Sequence, residues 1–379
     1  MEKEQAAKFM HDLLRHMRSK NASDLFITAD FPPAMKIDGK VTPVSNQVLT
    51  AQHAKELARS IMNDRQAEDF EATKECNFAI SPGTLGRFRV NTFMQQGRVG
   101  MVLRTINSEI PKLEELGLPP VLEDIAMTKR GLVIFVGGTG SGKSTSLAAM
   151  IGHRNDNAYD HIITIEDPIE YVHEHKKSII TQREVGVDTD SWMNALKNTL
   201  RQAPDVILIG EIRDRETMDY AIAFAETGHL CMATLHANSS NQALDRIINF
   251  FPEERRSQLL MDLSLNLRAF VSQRLVPHRS GKGRVAAVEV MLNSPLISEL
   301  IFDGKVHEIK EVMKRSRELG MQTFDQSLFD LHEIGKISYE DALRNADSVN
   351  DLRLQIKLQG SDAKNRDVLG SGLEHLDIV

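Results

Sequence analysis

The run Leu132-Val133-Ile134-Phe135-Val136 is followed directly by Gly137-Gly138-Thr139-Gly140-Ser141-Gly142-Lys143-Ser144. A short apolar run bounded by glycines is typical of a buried strand. The second stretch matches the phosphate-loop pattern G-x-x-x-x-G-K-[ST], which requires a strand before it and a helix after it. We therefore predict a strand, a loop and a helix that begins at Lys143, which makes this part of the chain an α/β fold.

Each part of this motif has a chemical purpose. Glycines let successive backbone N–H groups curl around phosphate oxygens, and the helix N-terminus adds partial positive charge. Lys143 would reach the β- and γ-phosphates, and the Ser144 hydroxyl would bind Mg²⁺. We expect ATP and Mg²⁺ as ligands. The candidate nucleotide-binding residues are Gly137, Gly138, Thr139, Gly140, Ser141, Gly142, Lys143, Ser144 and Thr145.

The pattern around this motif alternates between apolar strands and helices. Further apolar runs occur at 162–165 and 206–209, between predicted helices at 144–153, 191–201 and 215–226. This alternation predicts a parallel sheet covered on both faces. The region beyond 254 reads as helical, at 254–272, 294–301, 305–318, 323–334 and 338–358.

The first hundred residues predict a separate, small α+β domain. The patterns favour helices at 6–17 and 51–70, a hairpin within 24–44 that turns at Asp38-Gly39, and strands at 86–94 and 98–106. Residues 107–120 hold three prolines and little periodicity, so we place a linker there. The predicted domains are 1–106 and 121–360, followed by a flexible tail at 361–379.

Composition excludes several classes of protein. The chain has 379 residues, 41% of them apolar and 26% charged, with a net charge of −7. These values exclude a disordered or collagen-like chain and argue against a nucleic-acid partner. Cys76 and Cys231 form no CxxC pair, which suggests buried thiols in a reducing compartment. No signal peptide and no run of 18 apolar residues is evident, so we expect a cytoplasmic protein without a membrane span.

Acidic residues follow two of the predicted strands. Glu211 comes after Val206–Ile209, and ligands of open α/β sheets bind at the carboxyl ends of strands. Glu211 could therefore orient or deprotonate the attacking water and contact Mg²⁺ through water. Arg213 and Asp214 could hold Glu211 in place or cap the next helix. The alternative for Glu211 is a solvent-exposed acid at a strand end.

A second acidic stretch, Glu166-Asp167-Pro168-Ile169-Glu170, ends another strand, and Glu166 is its strongest catalytic candidate. Such a cluster is otherwise a helix cap or a solvated turn. His229 and His236 stand at the two ends of the predicted strand 230–235. His236 lies at the carboxyl end, where an imidazole can sense the γ-phosphate, and His229 lies at the opposite end, where it could serve an interface. Both are catalytic candidates, and a purely structural role is the alternative.

Arginines mark the strands of the first domain. Arg87 and Arg89 alternate with apolar residues and so share one face of a strand, and Arg98 to Arg104 follow on the next strand. In an oligomeric ATPase such guanidinium groups can clamp a γ-phosphate from a neighbouring subunit. The alternative is a solvated basic face.

Together these residues resemble the type IV pilus retraction ATPases, the PilT-like branch of the secretion-ATPase superfamily. The resemblance covers about residues 20–345. It rests on Ala22-Ser23-Asp24-Leu25 with the later Pro32-Pro33 and Asp38-Gly39, on Arg87-Phe88-Arg89-Val90-Asn91, and on four boxes in order. These are Walker A (137–144), an Asp box (163–173), Walker B (205–211) and a His box (226–236).

The resemblance implies a PAS-like N-terminal domain, a RecA-like C-terminal ATPase domain with a helical C-terminal part, and a homo-hexameric ring that binds ATP between the domains. It maps the catalytic glutamate to Glu211 and the Asp-box glutamate to Glu166. The arginine clamp maps best onto Arg89 and Arg104. Residues 228–236 fall in the box that links nucleotide state to retraction.

Two departures matter for the function that we expect. Gly138 stands where the family loop usually has proline, and two scattered cysteines cannot form the zinc insertion of extension motors. The long C-terminal segment favours the accessory branch, whose members act with a PilT-like ATPase and an inner-membrane platform protein at the cytoplasmic face. The alternatives are an ATP-binding ring scaffold with little hydrolysis and a RecA-like nucleic-acid translocase.

Overall fold

The structure is a computed structural model that describes residues 3–106 and 109–360. The predicted tail and the first two residues of the predicted linker lie outside these ranges. The described residues group into two compact units. Unit 1 contains the residues up to 109 together with 167–174 and 182–195, and unit 2 contains 110–166, 175–181 and the residues from 196 onward.

Unit 1 is built on a six-stranded antiparallel sheet in the order β3-β2-β1-β6-β5-β4. The strands are β1 (Asp24–Ile27), β2 (Ala34–Ile37), β3 (Lys40–Pro43), β4 (Glu75–Ile80), β5 (Phe88–Gln95) and β6 (Arg98–Thr105). The helices are α1 (Lys3–Ser19), α2 (Ala51–Ser60) and α3 (Asp64–Thr73). Asp38 and Gly39 both have positive φ, which makes the predicted tight turn between β2 and β3.

The helix predicted at 51–70 is wrong as a single element. Asn63 interrupts it and caps α3: its Oδ1 accepts from the backbone N–H of Gln66 at 2.8 Å, while Gln66 Oε1 accepts from the Asn63 N–H at 3.0 Å. This reciprocal arrangement satisfies backbone donors that a helix end leaves open. Strand β4 was not predicted, and it forms an edge of the sheet.

The core of unit 1 lies between its helices and one face of the sheet. Met10, Leu14 and Met17 repeat at helical spacing on α1 and are buried together with Leu57 of α2 and Phe88 of β5. Burying each such side chain contributes about 1.5–3 kcal/mol of transfer free energy. The apolar spacing that predicted the helix is thus the spacing that holds α1 on the sheet.

Unit 2 is built on a seven-stranded sheet in the order β13-β12-β7-β11-β10-β8-β9, although residues 182–184 at the end of β9 are counted in unit 1. The strands are β7 (Gly131–Val136), β8 (His161–Glu166), β9 (Ile179–Glu184), β10 (Val206–Ile209), β11 (Leu230–Leu235), β12 (Leu267–Pro277) and β13 (Arg284–Leu292). The central strands β12, β7, β11, β10 and β8 are parallel, which confirms the predicted parallel arrangement of β7, β8 and β10. The helices along this part of the chain are α4 (Val121–Ala126), α5 (Lys143–Asn157), α6 (Trp192–Thr199), α7 (Arg215–Glu226), α8 (Ser240–Phe250) and α9 (Glu253–Asn266).

The helix predicted at 254–272 is wrong beyond Asn266, because α9 ends there and β12 begins at Leu267. Ala269, Phe270 and Val271 are all buried, since β12 lies beside β7 inside the sheet. An apolar run of this length cannot be distinguished from a buried helix by periodicity alone. The antiparallel partner β13 was not predicted either, so the sheet is mixed and not purely parallel.

The chain then becomes helical, as predicted. The helices are α10 (Pro295–Phe302), α11 (Ile309–Lys314), α12 (Phe324–Glu333), α13 (Tyr339–Asn345) and α14 (Val349–Gln359). The stretch 338–358 forms two helices and not one. The second begins at Val349 and is capped by Ser348, whose hydroxyl accepts from the Asp351 N–H. Among the helices that the structure describes, none has the length and apolar character that crossing a bilayer requires.

Candidate active site

The predicted strand, loop and helix are confirmed in unit 2. Strand β7 ends at Val136, and α5 begins at Lys143. Gly140 and Gly142 have φ of +75° and +91°, in the left-handed region that favours glycine. The N–H of Gly137 donates to the carbonyl of Leu235 at 3.3 Å, which anchors the start of the loop to the end of β11. The loop is therefore held at the carboxyl edge of the sheet.

Lys143 reaches back over this loop. Its side chain is buried, and its Nζ donates to the carbonyls of Gly137 at 2.8 Å and Gly138 at 2.9 Å. The ammonium group thus lies over the loop at the N-terminus of α5, where the helix also favours negative charge. Phosphate oxygens bound in the loop would be within reach of the same donor.

The loop residues fit a bound phosphate. The Ser141 hydroxyl is buried and has no hydrogen-bond partner among the described residues, so it can donate to an oxyanion. Ser144 and Thr145 lie half-buried in the first turn of α5. Within the described ranges, no group of three His, Cys, Asp or Glu is arranged so that it could hold a metal ion. A divalent cation here would depend on the Ser144 hydroxyl and on phosphate oxygens.

Glu211 has a basic side chain beside each of its two carboxylate oxygens. It follows β10, and the N–H of Gly210 before it donates to the carbonyl of Ile165 at 2.7 Å. Arg213 Nε donates to Glu211 Oε2 at 2.7 Å, and His236 Nε2 lies 3.3 Å from Oε1. The Glu211 side chain is 21% exposed, so the solvated alternative does not describe it. Arg213 therefore holds Glu211, one of the two roles that the sequence left open.

Asp214 takes the other role. Its Oδ1 accepts from the backbone N–H of Thr217 at 2.9 Å, which caps the N-terminus of α7. Because capping fixes where α7 starts, it also limits the path of the chain from Glu211 through Arg213. Arg213 therefore bonds the Glu211 carboxylate, and Asp214 caps α7.

Glu166 ends the neighbouring strand. Ile165 of β8 is paired with Ile209 of β10, so Glu166 and Glu211 both lie just beyond paired residues of adjacent strands. The hydroxyl of Thr164 donates to Glu166 Oε1 at 2.6 Å, which orients that carboxylate. The sheet therefore brings both candidate acids to the edge that carries the phosphate loop.

Thr234 is a residue that the sequence reasoning missed. Its hydroxyl donates to the carbonyl of Gly210 at 2.5 Å, and its own carbonyl accepts from the N–H of Ile212 at 2.9 Å. These two bonds fix the chain on both sides of Glu211 against β11, two residues before His236. The sequence feature that could have indicated Thr234 is a polar residue near the end of the otherwise apolar strand 230–235.

His229 lies away from this cluster, at the amino end of β11. Its N–H donates to the carbonyl of Phe224 at 3.1 Å, and its carbonyl accepts from the N–H of Gly131 at 3.0 Å. Its Nδ1 lies 3.1 Å from the hydroxyl of Thr227. The structure thus places the two histidines at opposite ends of β11, as predicted, and brings only His236 to Glu211.

The candidate arginines lie on the sheet of unit 1. Arg89 of β5 is paired directly with Arg104 of β6. Arg104 Nε donates to Asp24 Oδ1 at 2.7 Å, although the Arg104 side chain is 70% exposed. Arg98 forms an exposed ion pair with Asp30. Arg89 and Arg104 therefore lie side by side on one face, with Arg98 apart from them.

Arg87 belongs to a different group in unit 1. One of its terminal nitrogens lies 3.8 Å from Glu184 Oε2 and 3.7 Å from Asp188 Oδ2. Burial raises the pKa of Glu184, while the N–H of Ile169 and the charge of Arg87 oppose that rise. Glu184 is almost fully buried and was not predicted as a site residue. Arg87 is thus engaged by two carboxylates of the segment that follows the Asp box.

Comparison with known proteins defines the class of protein. The sequence profile of the family described as "Type II/IV secretion system protein" matches residues 1–336. The chain belongs to this family. The predicted α/β architecture, with a small N-terminal unit and a sheet–helix unit, is confirmed within it.

Three relatives narrow the class. The chain is 62% identical to the type IV pilus ATPase PilU of Pseudomonas aeruginosa, with 95% of each chain covered. It is 43% identical to the type IV pilus retraction ATPase PilT of the same organism, over 88% of this chain and 97% of that one. A crystal structure of the pilus retraction motor PilT with bound ADP matches with a TM-score of 0.84 and 40% identity, over 90% and 98% of the two chains. The predicted membership in the retraction-ATPase family is therefore confirmed.

Proposed function

We propose that the chain is an ATP-hydrolysing motor of type IV pilus retraction, and that it works in a homo-hexameric ring as an accessory to a PilT-like ATPase. The observation that carries this proposal is the sheet edge in unit 2. There the phosphate loop, Glu211 and His236 follow neighbouring parallel strands, in a chain 62% identical to PilU. Binding a nucleoside triphosphate and positioning water for its hydrolysis need these groups together.

In the proposed reaction, the loop N–H groups and Lys143 bind the β- and γ-phosphates of ATP. Glu211 orients the attacking water for in-line displacement and accepts its proton. Arg213 and His236 hold the two oxygens of Glu211, which keeps the carboxylate from rotating away from the water. Bound Mg²⁺, for which Ser144 and, through water, Glu211 are the protein ligands, would neutralise developing phosphate charge.

The other candidate site residues have the following roles in the proposed reaction. Glu166, oriented by Thr164, helps to position the water or the hydrated cation. Arg89 and Arg104 contact the γ-phosphate when the ring is assembled and stabilise transition-state charge. His229 acts at an interface between subunits. We place the domains at 1–106 and 121–360, with the hinge in 107–120, and we propose that the ring acts on an inner-membrane platform protein from the cytoplasmic face.

The test is ATP hydrolysis by the purified chain, beside Lys143→Ala, with the mass followed by light scattering. We expect turnover by the wild type in a six-fold assembly and loss of turnover in Lys143→Ala. Lys357→Ala, which removes an exposed lysine from α14, is the matched control and should behave as the wild type. Tight ATP binding without turnover, even with a PilT-like ATPase added, would support the ring scaffold instead.

A further inference from the structure

Gln273 lies behind the phosphate loop. It is a residue of β12, it is 3% exposed, and its Oε1 accepts a hydrogen bond from the hydroxyl of Ser146 at 2.8 Å. Ser146 is also buried and belongs to the first turns of α5, where its N–H donates to the carbonyl of Gly142 at 3.0 Å. The side chain of Gln273 thus joins β12 to the helix that carries Lys143.

The two glycines at the ends of the loop also pack against Gln273. A Cβ atom on Gly142 would lie 2.6 Å from Gln273 Nε2, and a Cβ atom on Gly137 would lie 2.8 Å from the Gln273 carbonyl oxygen. Non-bonded carbon atoms do not approach nitrogen or oxygen this closely in folded proteins. Gly137 is also blocked by Ser141, whose Oγ would lie closer still to the same Cβ, and Gly142 has a positive φ that favours glycine. The Gln273 side chain therefore packs against the end of the loop and the helix beyond it, and its backbone carbonyl packs against the start of the loop.

We propose that Gln273 is a positioning residue for the nucleotide phosphates. Its carboxamide sets the position of the loop and of the first turn of α5, so that the loop N–H groups and Lys143 point at the phosphates. This inference rests on the proposed function of the loop. Gln273 does not itself touch the reacting water, so removing its carboxamide weakens the binding of ATP and of ADP more than it slows the step after binding.

The chemistry explains why a carboxamide is suited to this place. Its oxygen accepts from Ser146, and its NH₂ group faces Gly142 as a donor. A glutamate in its place would put a carboxylate behind a loop that binds anions. Both forms of the acid can accept from the Ser146 hydroxyl, but only the protonated form leaves the space behind the loop without a negative charge, and burial favours that form. The affinity of Gln273→Glu for nucleotide is therefore expected to increase as the pH falls.

The test measures the Kd of MgADP by titration calorimetry and kcat at saturating ATP on the full chain. Gln273→Met keeps the volume and removes the hydrogen bond, so we expect MgADP to bind about tenfold more weakly, with kcat changed less than threefold. Ser146→Ala should weaken binding in the same direction. The double variant should bind about as well as the weaker single variant, because both remove one bond.

The matched control is Gln326→Met. Gln326 is a half-buried glutamine of α12 in the same unit, and its Nε2 donates to the carbonyl of Lys314 in α11 at 3.0 Å. This variant should lose about as much thermal stability as Gln273→Met, but its Kd for MgADP should equal that of the wild type. A Gln273→Met or Ser146→Ala chain with the affinity of the wild type would overturn the inference, as would a Gln273→Glu chain whose affinity does not depend on pH.

The proposed function is tested separately within the same series. If Lys143→Ala loses MgADP binding while the Gln273 and Ser146 variants keep it, the loop binds nucleotide and only the role of Gln273 is wrong. If the wild-type chain binds no MgADP, the proposed function fails and the inference fails with it. Ser146→Ala also serves where Gln273→Met does not fold, because it removes the same hydrogen bond with a smaller change in shape.

Discussion

His236 Nε2 lies 3.3 Å from Glu211 Oε1, while Arg213 Nε lies 2.7 Å from the other oxygen of the same carboxylate. Glu211 therefore accepts a hydrogen bond from Arg213, two positions further along the chain, and has His236, which follows the neighbouring strand β11, beside its other oxygen. Such fixed orientation is what a group that positions water requires, because a misplaced base loses most of its effect on the rate.

Glu211→Gln should abolish hydrolysis and retain ATP. The amide keeps the shape of the side chain but cannot accept a proton from water, so kcat should fall by about 10²–10⁴-fold. Measured binding of ATP should stay close to that of the wild type, because Glu211 does not belong to the phosphate loop. Glu254→Gln, an exposed position in the first turn of α9, is the control. Equal turnover in the wild type and in Glu211→Gln would remove Glu211 from the catalytic role.

The two histidines should differ in their effects. His236→Ala removes the contact with Glu211 Oε1 and should lower kcat at saturating ATP by about tenfold. His229→Ala acts at the opposite end of β11, so it should lower hydrolysis only as far as it lowers assembly. The measurements are kcat and, in parallel, light scattering over a range of protein concentrations. If fully assembled His229→Ala rings lost kcat, His229 would have a direct role in hydrolysis, although it lies at the end of β11 opposite to Glu211.

The arginines of unit 1 offer an internal comparison. Arg89→Gln and Arg104→Gln should both lower kcat, by about 10³-fold if each acts as a phosphate-contacting arginine. Arg104→Gln should also lower the free energy of unfolding by about 1 kcal/mol, because buried Asp24 loses its ion pair with an exposed partner. Arg98→Gln breaks only an exposed pair with Asp30 and should change neither quantity. An active Arg89→Gln ring would contradict the proposed clamp.

The phosphate loop and the two strand-end acids could be predicted because their signals are local. An apolar run, a glycine spacing and an acid at a strand end all lie within a few residues of each other, as at Val206–Ile209 and Glu211. These local patterns can be interpreted from backbone geometry alone, because they depend little on the rest of the fold. The sequence was therefore sufficient to place Glu211 and Glu166 on the edge that carries Lys143.

Other features depend on contacts that the sequence does not display. Ser146 and Gln273 are 127 positions apart, and they meet only because β12 inserts beside β7. The apolar run that forms β12 is equally compatible with a buried helix. The sequence therefore did not predict that this stretch would lie beside β7. The same applies to Thr234, whose hydroxyl matters because β10 lies next to β11. Residues that hold the site in place are thus harder to predict than residues that perform its chemistry.

A charged cluster in the C-terminal part of unit 2 should make stability depend on pH. Arg274 Nη2 lies 2.8 Å from Asp347 Oδ1, and Lys310 bonds the other oxygen of Asp347. Burial alone would raise the pKa of Asp347, but the hydrogen bonds and charges of Lys310 and Arg274 hold that pKa below its ordinary value of 3.8. Because the pKa is lower in the folded chain, this stabilisation is present above pH 3.8 and is lost as the pH falls through the folded-state pKa.

Asp347→Asn should therefore lower the free energy of unfolding by about 3 kcal/mol at neutral pH, because it leaves Arg274 and Lys310 without their carboxylate. Urea unfolding at pH 7 and at pH 3 measures it, and the difference between variant and wild type should shrink at the lower pH. Asp330→Asn is the control, because the pair of Asp330 with Arg317 is about half exposed and should contribute less than about 1 kcal/mol. If the two variants lose the same stability at pH 7, the cluster is no stronger than an ordinary surface pair, and Arg274 holds β12 to the C-terminal helices through the carbonyl of Asn345 and the ring of Phe324.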